Sequence, residues 1–147
     1  MSQRLVDLNP ETYFLANEAV AELQTLKIPH AVTSTKRTVE EQAALYAQGR
    51  AKLDAVNAKR QFAGMPKIDD RQNQYTVTNC DGVRNKSNHQ SGDALDVVPL
   101  EGIRPVWPSP TDPRWQEIAR VMLKHGFEWG GQWTKFPDYP HYERRKA

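Results

Sequence analysis

The stretch from Ser87 to Val98, Ser-Asn-His-Gln-Ser-Gly-Asp-Ala-Leu-Asp-Val-Val, constrains the fold more than any other part of the chain. It sets His89 and Asp96 seven positions apart, with Gly92 between them and an apolar pair directly after. Residues 93 to 98 predict a strand ended by Pro99, and Gly92 predicts a bend before it. A fold built on this stretch must deliver a loop histidine beside a strand aspartate. Near the C-terminus, Asp138-Tyr139-Pro140-His141-Tyr142-Glu143 supplies a second imidazole and more carboxylates. Two imidazoles and one carboxylate form the ligand set of a catalytic zinc, with a fourth position left for water. Convergence is a separate requirement. On a regular strand an offset of three points Asp138 and His141 to opposite faces. Pro140 argues against a regular ladder there, so a bent loop could turn both inward. Spacing alone leaves a metal centre and an unrelated polar cluster equally open.

The remaining elements read as scaffold. Asn9-Pro10 pairs an N-cap residue with a proline at the first helical position. Leu15, Ala19, Leu23 and Leu26 then predict one apolar stripe that stops by Pro29. Residues 31 to 35 predict a short strand. Thr38-Val39-Glu40-Glu41 is a capping box for a second helix that ends near Gly49. Arg37 lies between that strand and that helix, where site residues are often found, although an isolated arginine is usually a solvated charge. Residues 50 to 71 predict a long excursion, helical in its first part, of the kind that forms a flap. Residues 75 to 78 predict a strand, with a turn at 79 to 82. Asp112-Pro113 starts a third helix with Trp115, Ile118, Ala119, Met122 and Leu123 on its apolar face, closed by Gly126. Helices and short strands mix without βαβ regularity. The expectation is an α+β fold: one domain over residues 1–147, a small antiparallel sheet flanked by about three helices, and an open zinc cleft.

Composition excludes some functions. The chain has 147 residues, 38% hydrophobic and 26% charged, enough for one core without disulfide help. Lys plus Arg number 20 against 18 Asp plus Glu, a balance that argues against a dedicated nucleic-acid binder. The single cysteine, Cys80, excludes an internal disulfide and a multi-cysteine zinc site. No apolar run approaches the ~20 residues of a membrane span, and no signal-peptide pattern opens the chain. The expected product is a monomer that starts in the cytoplasm.

The pattern Ser87-x-His89-x-x-Gly92-x-Ala94-x-Asp96, followed by Asp138-x-x-His141, resembles the zinc peptidases that cut peptidoglycan stem peptides. That family includes D-alanyl-D-alanine carboxypeptidases and the L-alanyl-D-glutamate endopeptidases used as phage endolysins. Arg37-Thr38-x-x-Glu41-Gln42-x-x-Leu45-Tyr46-x-x-Gly49 is similar to the family's arginine segment. Gly126-Phe127-x-Trp129-Gly130-Gly131-x-Trp133 is similar to its approach to the last ligand. The resemblance covers about residues 31–143.

By that resemblance His89, Asp96 and His141 hold one zinc per chain, and Asp138 is the general base. Asp93 is then a decoy, an acid near His89 without a ligand role. Arg37 stabilises charge developing on the substrate. Ser87 contacts substrate or steadies its loop, Gln42 belongs to the substrate-binding set, and Trp129 and Trp133 wall the cleft. His30 and His125 match no motif position. The implied partner is bacterial peptidoglycan, with no nucleic acid and no membrane. The leading expectation is an endolysin that cuts the L-alanyl-D-glutamate bond, kept in the host cytoplasm until holin-type release. The alternatives are a D-alanyl-D-alanine carboxypeptidase and a non-catalytic wall-binding protein that retains a zinc site.

Overall fold

The computed structural model describes residues 1–145. In chain order it contains α1 (Pro10–Thr25), β1 (His30–Ser34), α2 (Val39–Ala47), α3 (Leu53–Phe62), α4 (Asn88–Ser91), β2 (Ala94–Glu101), β3 (Arg104–Pro105), α5 (Pro113–Lys124), β4 (Phe127–Trp129) and β5 (His141–Arg144). The fold is α+β with a small antiparallel sheet, as the sequence predicts. Among the described residues there are five α-helices where about three were expected, because the 50–71 excursion contains α3 and the His89 segment winds into the short α4. The chain divides into two compact units: Ser2–Lys36 with the residues from Ser91 onward, and Arg37–Gln90 with Met1.

The first unit holds the sheet, ordered β1-β2-β5-β4 with β3 added to β2. Its strands are antiparallel. Helix α1 starts as expected, with the Asn9 side chain accepting from the Glu11 N–H and Pro10 inside the first turn. Its buried face is Thr12, Ala16, Ala19 and Leu23, a helical spacing offset from the predicted stripe. Leu26 stays exposed because the helix ends at Thr25 and Lys27 turns the chain at φ 56°. Helix α5 packs Trp115, Ile118, Ala119 and Met122 into the same core as Leu23, Leu95, Val97, Phe127 and Tyr142.

Strand β2 runs through Pro99 instead of stopping before it. Proline brings no N–H to a ladder; Pro99 stands opposite His30 of β1, and on its other edge it falls between the part of β2 paired with β5 (Ala94 to Asp96) and the part paired with β3 (Leu100, Glu101). Gly92 provides the expected bend before β2 at φ 80°. A Cβ there would lie 2.8 Å from the Asn9 nitrogen, which donates to the Gly92 carbonyl at 3.0 Å.

In the second unit α2 contacts α3, and its Ala44 and Leu45 pack with Met65, which follows α3. The Thr38–Glu41 capping box forms with both of its bonds. The expected strand at 75–78 is not formed. Tyr75 and Val77 are exposed there, so its β-branched residues have no sheet face to fill. Among the described residues, no helix is long and apolar enough to cross a membrane.

Candidate metal centre

The C-terminal half of the site is built by strand register. Asp96 on β2 pairs directly with His141 on β5, so their side chains leave the sheet on the same face. His141 Nδ1 stands 3.7 Å from Asp96 Oδ1, and Nε2 stands 2.8 Å from Glu143 Oε1. His141 is buried, and Asp96 and Glu143 are partly exposed. Burial alone would lower the His141 pKa. The hydrogen-bonded carboxylates of Asp96 and Glu143 outweigh it, with help from the charge of Asp138, and raise the ring to about 9. The pocket around this imidazole is therefore made for positive charge.

The loop before β5 is fixed by close backbone approach. The Gly130 carbonyl accepts from the Asp138 N–H at 2.9 Å, and the Asp138 carbonyl accepts from the His141 N–H at 3.2 Å. A Cβ on Gly130 would lie 2.5 Å from the Asp138 oxygen and 3.1 Å from the His141 Cβ. A glycine is therefore required where the Asp138–His141 turn folds back onto the 3₁₀ turn Gly130–Gln132. The Pro140 carbonyl accepts from the Val97 N–H at 2.9 Å, which anchors the turn to β2. Trp129 is 8% exposed and belongs to the core. Its indole N–H donates to the Tyr139 carbonyl at 2.8 Å, so it holds the turn from below. Trp133 is 38% exposed, its ring 5.1 Å from the His141 ring at 47°.

The N-terminal half is built by caps. The Ser87 hydroxyl accepts from the His89 N–H at 3.2 Å, and the Gln90 side chain accepts from the Ser87 N–H at 2.9 Å. Ser87 thus caps α4 through the His89 N–H while the Gln90 side chain reaches back to the Ser87 N–H, a pairing of residue types that the sequence also carries. Ser87 steadies the turn that carries His89. Arg37 is 8% exposed, and its backbone N–H donates to the His89 carbonyl at 3.0 Å. Its guanidinium donates to Gln42 Oε1 at 3.3 Å. Gln42 is fully buried, and its amide also donates to Thr78 Oγ1 and the Cys80 carbonyl. This geometry makes Gln42 a support for Arg37.

The acids and histidines outside the motif have structural partners. Asp93 accepts from the Thr12 and Ser91 hydroxyls. His30 Nδ1 lies 2.8 Å from the Ile28 carbonyl oxygen, and His125 Nε2 lies 2.9 Å from Glu22.

His89, Asp96 and His141 each offer one ligand atom, and those atoms all lie within 4.8 Å of one another. Bonds of 2.0–2.2 Å in a tetrahedron put zinc ligand atoms about 3.3–3.6 Å apart, a spacing of the same order. Two imidazoles and a carboxylate suit zinc in donor type, and the carboxylates around His141 suit a cation in charge. The residues fit the metal.

Residues 81–144 match a family model described as D-alanyl-D-alanine carboxypeptidase. The peptidoglycan L-alanyl-D-glutamate endopeptidase CwlK of Bacillus subtilis is 28% identical over 93% of this chain and 73% of its own length. The L-alanyl-D-glutamate peptidase of Listeria phage A118 is 34% identical over 40% of this chain and 21% of its own. Two solved structures share the fold over 95% of this chain. One is the L-Ala D-Glu endopeptidase ChiX of Serratia marcescens, at TM-score 0.57 and 19% identity, covered over 82% of its length. The other is a vancomycin resistance D,D-pentapeptidase, VanY, in complex with Zn(II), at TM-score 0.59 and 15% identity, covered over 73%. The matched family segment contains His89, Asp96, Asp138 and His141, the residues on which the sequence resemblance was drawn.

Proposed function

We propose that this metallopeptidase, whose site-bearing residues 81–144 match the D-alanyl-D-alanine carboxypeptidase family model, hydrolyses the L-alanyl-D-glutamate bond of peptidoglycan stem peptides with one zinc per chain. The observation that carries the reading is the clustering of His89, Asp96 and His141, each with a ligand atom within 4.8 Å of the others. The choice of bond is supported by the two L-alanyl-D-glutamate peptidases among its relatives, one of them from a phage. The phage relative also supports an endolysin role, in which the enzyme reaches the wall after holin-type release.

His89, Asp96 and His141 would hold the metal. A zinc ion there supplies Lewis acidity, which polarises a carbonyl and makes hydroxide available at about pH 7. Asp138, held by Gly130 beside His141, accepts the proton of the attacking water and returns it to the leaving amine. Arg37, oriented by Gln42, faces the charge that develops on the scissile carbonyl oxygen. Trp133 flanks the site with a half-exposed ring suited to the apolar faces of a stem peptide.

Lysis of purified peptidoglycan by chelator-treated protein, before and after zinc is returned, tests this reading. Activity should vanish with the metal and return with it. Equal activity in rigorously metal-free protein would sink the proposal.

A further inference from the structure

We propose that Glu143 is a positioning residue that selects Nδ1 of His141 as the metal-binding nitrogen. It does so by taking the Nε2–H. The inference rests on the reading that the site holds zinc. His141 and Glu143 are two positions apart on β5 and therefore project from the same face of the sheet, while Tyr142 between them enters the core. The register pairs Asp96 with His141 and Ala94 with Glu143. Each ring nitrogen thus faces a different carboxylate: Nε2 is 2.8 Å from Glu143 Oε1, and Nδ1 is 3.7 Å from Asp96 Oδ1.

A neutral imidazole carries one proton, and a metal can use only the other nitrogen. Asp96 belongs to the ligand cluster, so the nitrogen on its side, Nδ1, is the one able to share a metal with it. The proton then stays on Nε2 and is donated to Glu143. This is the arrangement in which a carboxylate behind a ligating histidine fixes its tautomer and ring orientation.

Strand pairing does not account for Glu143. It sits directly opposite Glu128 of β4, a like-charge pair that disfavours the strand contact. Its Oε1 lies within hydrogen-bond distance of the His141 ring, at 2.8 Å from Nε2. A role as the hydrolytic base would need that same carboxylate for water.

The test uses the zinc-loaded protein and zinc alone as probe. Long-range proton–nitrogen correlation spectra of the wild type should show His141 protonated at Nε2. Zinc affinity, measured by competition with a chelator, should fall about 10–100-fold in Glu143→Leu, the range known for such partners. Glu143→Gln keeps an oxygen acceptor and should recover most of that loss. Protonation at Nδ1, or a Glu143→Leu protein that binds zinc as tightly as wild type, would overturn the proposal. If Glu143→Leu does not fold, the wild-type tautomer still decides. Wild-type protein with no affinity for zinc would instead remove the metal reading on which this rests.

Discussion

His141 lies between two carboxylates, and this sets how metal uptake should depend on pH. Its pKa is raised to about 9 in the metal-free protein, above the 6.5 of an ordinary histidine. A raised histidine stabilises the metal-free fold fully below about 6.5, and that contribution is lost as pH climbs through about 9. Zinc needs the neutral ring, so below that pH it must displace a proton. Zinc binding followed in several buffers should therefore release close to one proton at pH 7 from this residue, and apparent affinity should rise with pH until about 9. Affinity flat between pH 6 and 9 would contradict the charge environment described. Two variants separate ligand from base in the same turn. His141→Ala should lose zinc and activity together. Asp138→Asn should keep zinc, by metal analysis, yet lose about 10²–10⁴-fold in rate. If Asp138→Asn loses metal as readily as His141→Ala, Asp138 is a ligand. These residues were legible as candidates through their place in a motif that resembles a zinc peptidase family, whereas spacing alone did not decide whether they converge. The tautomer of His141 was not legible, since it depends on which carboxylate the β2–β5 register sets beside each nitrogen.

Among elements, the turn from Gly130 to His141 carries the greatest geometric constraint. Gly130→Ala would force a Cβ to within 2.5 Å of the Asp138 oxygen. The expected outcome is a protein that folds on its α1–α5–sheet core but binds zinc more weakly and turns over slowly. Circular dichroism beside a zinc titration checks both halves, and unchanged zinc affinity would show that the turn can yield. The glycine pattern was visible in the sequence, but its purpose was not, because the clash is with a carbonyl eight residues away. Caps were the most legible elements: Asn9, Thr38 and Asp112 all cap as read. The misread strand at 75–78 had the composition of a strand without a partner to pair with, and composition does not report partners. Gln42 and Trp129 were read as substrate contacts from their motif positions. In the structure both are buried and hydrogen-bonded, Gln42 to the Cys80 carbonyl and Trp129 to the Tyr139 carbonyl, contacts that only packing reveals.

At the scale of the molecule, the α+β class followed from the alternation of capped helices and short strands. The boundary between the two compact units, after Gln90, falls inside α4. A four-residue helix at that point leaves no composition signal in the sequence. The proposed cleavage of the L-alanyl-D-glutamate bond is tested on the intact protein. Mass spectrometry of purified peptidoglycan digested with the zinc-loaded protein is the most direct measurement. Cleavage at the proposed bond should give new L-alanine C-termini matched by new D-glutamate N-termini, absent from the Asp138→Asn digest. Free D-alanine released from intact stems, or stems left whole by fully zinc-loaded protein, would contradict it.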